Sequence, residues 1–540
     1  MCGIVGSTNY NLSRLVLNGL HHRGPDSRGM YSSDKVTLGH TRLSIIDLEN
    51  GSQPMVDDGV AIVFNGEIYN YRQLRSDLKN CTTDSDTEVL LQCYKKYGIE
   101  KTLENINGMF SFAIFDGDKI FLARDRLGIK PLFYHQDDNG ITFSSEIEPI
   151  KDVVGVERLT IDPMSVSLFF NMYYIPSPNT IWKEIRNLNP GCFMEYNTKT
   201  KESRIKKYWQ LERTNKSATD LKYLETLLKD AVSLRMRSDV PYGAYLSGGV
   251  DSSLIVKHMS LLEDGTKTFT AQIGDKELDE REYALKVAEE CKTRHTNLPV
   301  EYTDIKLSFL RKISKNFGQP FADSSVVPTY LISREIAKNV TVALGGDGSD
   351  ELFCGYNKYN KAENGVQGHF FRNTQNNFLT KEYKKDSFGY LLSLLPYAPK
   401  NNMEMMRLLD IRVFLEGDIL QKVDRTSMAN SLEVRVPFLD HRVVEYSNDL
   451  SDDILYGKIR KRAIKDILGK YFSHDFVHRP KIGFMLNTGD WVDKLFEQIK
   501  TYKVFDSGIF DKKQDLSKLS NKYLKFAILM FALWYEEVYA

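Results

Sequence analysis

The sequence predicts two domains of different fold class: an α+β unit rich in antiparallel sheet, then an α/β unit with a doubly wound parallel sheet and a helical C-terminal part. Three observations carry this. A chain of 540 residues is too long for one hydrophobic core. Over roughly the first 200 residues, short stretches with alternating apolar positions are joined by Gly/Asp/Asn turns, the pattern of hairpins. Beyond about residue 220, strand-like runs alternate with helical ones, which calls for crossovers between parallel strands.

The antiparallel elements are "VTLGHTRLSIID", "GVAIVFNGEIYNY", "MFSFAIFDGDKIFLARD" and "GITFSSE", all rich in β-branched or aromatic residues. Helical spacing interrupts them in "YRQLRSDLK" and "DTEVLLQCYKKYG". The polar "YNTKTKESRIKKYWQLERTNKSATD" reads as the connector, giving domains 2–205 and 221–540 with 206–220 between them. In the second domain "LKYLETLLKDAVSLRMRS" is a helix, and "PYGAYLSGGVDSSLIVKHMSLL" is a strand, a glycine turn and a helix. "TFTAQI" is a strand, "DEREYALKVAEEC" a helix, and "VTVALGGDGSDELF" a strand ending in a second glycine turn. From about residue 400 the pattern is mostly helical.

The composition, 42% hydrophobic and 27% charged, is that of an ordinary globular protein. Lys+Arg 72 against Asp+Glu 72 leaves no net charge to draw nucleic acid or an anionic membrane. No Lys or Arg precedes Arg14 and no long apolar run follows, so a secretory leader is not expected. "FAILMFALW" is far short of a membrane span and reads as a buried C-terminal helix. The six cysteines (2, 81, 93, 192, 291 and 354) are scattered, as reduced thiols would be, and a cytoplasmic location is expected.

"SGGVDSS" sits where a strand gives way to a helix. Gly248 and Gly249 let backbone amides approach a ligand, and the helix start favours phosphate. Ser247, Ser252 and Ser253 add hydroxyls. Asp251 would repel phosphate unless a cation such as Mg2+ lies between them. The alternative is an ordinary capped turn. The run resembles the pyrophosphate loop of ATP pyrophosphatases, which cleave ATP to AMP and pyrophosphate. In "LGGDGSDELF", Asp350 is the natural second metal carboxylate, and Gly345 and Gly346 could approach the nucleotide.

Cys2 raises the other question. If Met1 is trimmed, a thiol and a free α-amine share one residue, and the amine can take the sulfur proton. "MCGIVG" resembles the start of class II glutamine amidotransferases. "HHRGPDSRG", "TRLSIID", "FNGEIYN" and "SDTEV" follow in that family's order. The resemblance implies that Arg42 meets the glutamine α-carboxylate, while Glu67 and Asp86 meet its α-ammonium. It implies that the backbone of Leu43, Ser44, Ile45 and Ile46 frames the ligand, and that Asn65 and Gly66 donate to the oxyanion.

A glutaminase head on an ATP-pyrophosphatase body resembles the glutamine-hydrolysing asparagine synthetases, over almost the whole chain. "ARDRLGIKPLFY", "SLEVRVPFLDHR" and "HRPKIGF" extend the match. The implied folds are an N-terminal-nucleophile αββα sandwich and an adenine-nucleotide α-hydrolase-like sheet. The implied substrates are glutamine, ATP and a carboxylate acceptor, aspartate first, with Mg2+ as cofactor and a homodimer as possible assembly. Leu246 and Ile273 would touch adenosine through their backbones, and Lys481 would stabilise charge on phosphoryl oxygens. Asp347 stands where well-studied members carry a glutamate proposed to handle an ammonia proton, and Ile419 stands at one of their acidic positions. Those departures leave a second reading open, the same machine amidating another carboxylate in an envelope precursor or secondary metabolite. Sugar-phosphate and phosphoribosyl amidotransferases share the Cys2 head but not "SGGVDSS", and a non-catalytic relic would not be expected to keep Cys2, Asp251 and Asp350 together.

Overall fold

The computed structural model describes residues 2–9, 12–215, 217–273, 280–300, 305–374, 376–479, 490–516 and 519–539. Two six-stranded antiparallel sheets form the first domain. One runs through Ile185–Asn187, Phe133–Asp137, Gly140–Ser144, Gly3–Ser7, Thr37–Arg42 and Ser27–Ser32. The other runs through Ser203–Lys207, Cys192–Asn197, Lys119–Arg124, Gly108–Asp116, Val60–Ile68 and Met55–Asp57.

The alternation along these strands builds the layers, because successive side chains point to opposite faces. Ala61, Val63, Ala113 and Leu122 meet Ile4, Leu38 and Phe143 between the two sheets. Ile62, Phe64, Phe112 and Ile114 point the other way, into a core shared with Val89 and Leu90 of helix Asp86–Asn105. On the outer face of the first sheet lie helix Ile147–Val154 and the 3-10 helix Arg14–Arg23, with Leu17 and Leu20 packed on Val5. The result is an αββα sandwich. Strand Ser203–Lys207 runs from the end of the first domain into the predicted connector; as an almost fully exposed edge strand it has the polar composition of a linker.

In the second domain five parallel strands run in the order Arg294–Val300, Lys267–Ile273, Tyr242–Tyr245, Val342–Leu344, Glu433–Arg435. Numbered by chain position this is 3-2-1-4-5, so the order reverses between the first and fourth strands. Ligands of such sheets gather at the carboxyl ends beside that reversal, and both glycine turns leave the sheet there. Two of these strands have no strand signature in the sequence. Arg294–Val300 is a largely exposed edge, and Glu433–Arg435 is three residues long with two buried charges. The C-terminal run is buried as expected, inside helix Lys522–Tyr539. None of the helices among the described residues is long and apolar enough to cross a membrane. All six cysteines are free thiols.

Candidate active sites

Cys2 immediately precedes strand Gly3–Ser7, on the same face as Ile4, and Asn65 shares a face with Val63. Both side chains therefore reach the gap between the sheets, at one end of the sandwich. The Cys2 N–H donates to Asn65 Oδ1 at 3.1 Å, and Asn65 Nδ2 donates to Ser111 Oγ at 3.3 Å. Gly66 is demanded by close approach, since a Cβ there would lie 2.1 Å from the Met109 carbonyl oxygen. Burial pushes the Cys2 thiol up from its ordinary value, against the Leu43 backbone N–H and the Arg42 charge, which favour the thiolate.

Around that thiol, Arg42 folds the following loop over itself. Its guanidinium donates to the carbonyls of Ile46 at 3.2 Å, Asp47 at 2.6 Å and Leu48 at 3.0 Å. The Ser44 N–H is held by Asp26 Oδ2 at 2.7 Å. Asp86 accepts from the Ile68 N–H at 2.9 Å, and burial raises it to about 6. Burial likewise pushes the Glu67 carboxyl up, against the pull of Arg435, whose Nη2 lies 3.3 Å from Glu67 Oε2. Arg42, Leu43, Glu67, Asp86 and Cys2 are all buried.

The second centre is built from the two glycine turns. Gly248 has φ of +71°, and a Cβ on it would meet the Ala284 nitrogen at 2.6 Å, so only glycine lets this turn pack on the next helix. Serines brace it: Ser247 Oγ accepts from the Gly249 N–H at 3.2 Å and lies 3.0 Å from Ser252 Oγ. Ser253 Oγ is buried with no hydrogen-bond partner among the described residues. Arg479 donates to the Gly248 carbonyl at 2.5 Å, which helps orient this turn. Leu246 is buried at the strand end; its N–H donates to Phe269 at 2.8 Å and its carbonyl accepts from Thr270. Ile273 ends the adjacent strand.

Gly346 brings the second turn against the first, its missing Cβ lying 2.9 Å from that of Asp251. Ser349 Oγ donates to Asp251 Oδ1 at 2.6 Å. Between the two turns stands a side chain the sequence reading missed. Lys461 Nζ lies 2.5 Å from Asp251 Oδ2 and 2.7 Å from Asp350 Oδ1, and its side chain is 7% exposed. The two carboxylates hold its ammonium charged well beyond its ordinary range. No spacing signal links Lys461 to a turn 210 residues away. Lys481, which the sequence pointed to instead, lies outside the described residues.

Oxygen-only donors, two of them carboxylates converging on one cation, suit Mg2+, which takes one or two carboxylates plus phosphate oxygens and water. The donor set therefore suits the ion, and in this structure Lys461 Nζ stands between the two carboxylates. Beside them burial raises the Asp347 carboxyl, opposed by Lys422. Lys422 belongs to a group of mixed charge in which Arg372 reaches solvent while Asp323, Asp418 and Lys422 are buried: Arg372 pairs with Asp323 at 2.6 Å and Asp418 at 2.9 Å, and Lys422 with Asp418 at 3.4 Å. Asp418 rises to about 7, through burial first and then the neighbouring Asp323. It lies in an 11-residue π-helical stretch, Asp410–Leu420, that includes Ile419; such wide turns concentrate at functional sites.

One short strand, Glu433–Arg435, contacts residues of both centres. Arg435 turns its guanidinium to Glu67 and to Glu433, 2.6 Å away, while its carbonyl accepts from the Gly345 N–H at 2.8 Å.

These two halves define a class: amidotransferases in which an N-terminal-nucleophile domain is joined to a nucleotide-consuming ligase domain. Comparison with known proteins is more specific. Residues 223–536 match the family described as "Asparagine synthase", and residues 1–209 match "Glutamine amidotransferase domain". The chain belongs to the asparagine synthase family. It is 29% identical to "Asparagine synthetase [glutamine-hydrolyzing] 1" of Bacillus subtilis, over 99% of this chain and 96% of that one. It is 28% identical to "Asparagine synthetase B [glutamine-hydrolyzing]" of Escherichia coli, over 90% and 80%. "Asparagine synthetase [glutamine-hydrolyzing] 3" of Bacillus subtilis is 29% identical over 89% and 86%.

Proposed function

We propose that this protein is a glutamine-dependent asparagine synthetase, converting aspartate, ATP and glutamine to asparagine, glutamate, AMP and pyrophosphate. The observation that carries this reading is that one residue, Arg435, contacts Glu67 of the first centre and Gly345 of the second.

In the first centre Cys2, as the leading residue after loss of Met1, passes its thiol proton to its own α-amine, whose other neighbour is Asn65 Oδ1. The sulfur attacks the side-chain carbonyl of glutamine. The Gly66 N–H and the Asn65 Nδ2–H not used by Ser111 stabilise the oxyanion. Collapse expels ammonia, and water then releases glutamate from the thioester. The glutamine α-ammonium is met by Glu67 and Asp86 and its α-carboxylate by Arg42, whose guanidinium also holds the carbonyls of Ile46, Asp47 and Leu48.

In the second centre the turn at 247–253 presents amides and hydroxyls to the ATP phosphates, with Leu246 and Ile273 at the strand ends beside the nucleoside. Asp251 and Asp350 would hold Mg2+, which would neutralise phosphate charge. The acceptor carboxylate attacks the α-phosphorus and pyrophosphate leaves, with Lys461 placed to offset the charge that develops. Ammonia then displaces AMP from the acyl carbon, and Asp347 takes the surplus proton. Its raised pKa brings it nearer to what a general base needs. Arg372, Lys422, Asp323 and Asp418 together offer both charge signs, as an amino-acid acceptor requires. Mg2+ as the resident ion, aspartate as acceptor, the cytoplasm as compartment and a homodimer as assembly belong to the same reading.

Incubation of the purified protein with Mg-ATP, glutamine and aspartate tests it. Asparagine, AMP and glutamate should form in equal amounts. Absence of asparagine at saturating aspartate, with glutamine still hydrolysed, would transfer the chemistry to another carboxylate.

A further inference from the structure

We propose that Asp424, a residue of the second domain, positions the Cys2 nucleophile of the first, acting through Arg23. The inference rests on Cys2 being the glutaminase nucleophile.

Arg23 is fully buried, and its Nε–H donates to the main-chain carbonyl of Cys2 at 3.1 Å. The other edge of the same guanidinium meets Asp424 as a fork: Nη1 to Oδ2 at 2.8 Å and Nη2 to Oδ1 at 3.1 Å. Nη1 also meets Glu146 Oε1 at 3.0 Å. Two parallel bonds fix the guanidinium plane where one bond would leave it free to turn. That plane fixes the Cys2 carbonyl and so the Cys2–Gly3 peptide unit. On the far side of that peptide Gly3 is held in the sheet opposite Thr41, so the Arg23 bond fixes the Cys2 side of it. The direction of the Cys2 side chain thus depends on a carboxylate 401 residues away from Arg23.

The same helical turn of the second domain grips the next residues too. Arg425 holds Glu146 Oε1 at 2.7 Å and the Ser145 carbonyl at 3.2 Å. Ser145 in turn accepts from the Ile4 N–H at 3.1 Å through its Oγ and donates its own N–H to the Ile4 carbonyl at 2.9 Å. Ser431 Oγ donates to the His22 carbonyl at 2.8 Å. The groups around Asp424 are cations, Arg23, Lys130 at 3.3 Å and Arg425, and they hold its carboxyl down near about 2 against the opposing effect of burial. It is therefore ionised wherever the enzyme works, and its neutral analogue is a real perturbation. Helix Gln421–Met428 also carries Lys422, whose charge acts on the Asp347 carboxyl, so one element bears on both centres.

The test is Asp424→Asn, assayed separately for glutamine hydrolysis and for ammonia-dependent asparagine synthesis. A displacement of the nucleophile on the order of 1 Å costs about 10²-fold. The expected result is a fall in glutaminase kcat of at least about ten-fold, with glutamine KM and ammonia-dependent synthesis within about two-fold of the parent. Asp424→Glu, which keeps the charge, should recover part of that loss. If Asp424→Asn does not accumulate as folded protein, Arg23→Lys serves. It keeps a charge beside Asp424 but cannot bond that carboxylate as a fork and Cys2 together, and it should show the same split. An unchanged glutaminase kcat, or an equal fall in both activities, overturns the proposal. Absence of glutaminase activity in the parent would instead overturn the role of Cys2.

Discussion

Replacing Lys461 with methionine keeps the length of the side chain and removes its charge from between two carboxylates. The ammonium lies 2.5 Å from Asp251 and 2.7 Å from Asp350, in a side chain 7% exposed. Removing one partner from a buried ion pair costs about 3–5 kcal/mol, because the remaining charges stay desolvated. Here two carboxylates are left facing each other, so uptake of a cation or proton recovers part of that cost. Mg2+ alone should therefore raise the thermal midpoint of Lys461→Met more than that of the parent. Loss of a fixed donor to the developing charge removes about 3–4 kcal/mol of transition-state stabilisation, roughly 10²–10³-fold in rate. The assay is AMP and asparagine formation with ammonia as nitrogen source, set against glutamine hydrolysis in the same preparation. Synthesis should collapse while hydrolysis stays within about two-fold of the parent. Synthesis within a few-fold of the parent would refute the assignment of Lys461 to the adenylation step.

Cys2→Ala is expected to abolish glutamine hydrolysis and glutamine-driven synthesis while ammonia-driven synthesis survives; retention of the glutamine-driven activity would exclude the thiol mechanism. Gly66→Ala would force a methyl to within 2.1 Å of the Met109 carbonyl. Strain of about 1–3 kcal/mol should displace the oxyanion donors, seen as a fall in glutaminase kcat with ammonia-driven synthesis unaffected. His258 is fully buried with neither ring nitrogen hydrogen-bonded among the described residues, and burial lowers it to about 4. The unfolded chain takes up that proton below its ordinary 6.5 and the folded one does not, so stability is lost as pH falls from 6.5 towards 4. The loss approaches about 3 kcal/mol at the acid end. Urea midpoints of the parent and His258→Leu near pH 7.5 and pH 5 check this: the variant should lose less on acidification, and an identical loss would contradict the assignment.

Much of both centres was readable before folding, wherever the determinant was local. Alternation along "AIVFNG" decides that Asn65 shares the face of Val63, and the same period places Cys2 with Ile4. Gly248 and Gly346 mark close approaches that any larger residue would block, so the turns announce themselves. Where a strand was short or edge-exposed, as in Glu433–Arg435 and Arg294–Val300, hydrophobic pattern carried no signal and the element went unread. The tertiary structure alone decided which charges meet. Lys461 reaches Asp251 and Asp350, Arg23 reaches Asp424, and Arg435 reaches Glu67, across separations that leave no periodic trace. The physical reason is that a buried charge needs a partner of opposite sign at contact distance but sets no condition on where in the chain that partner lies.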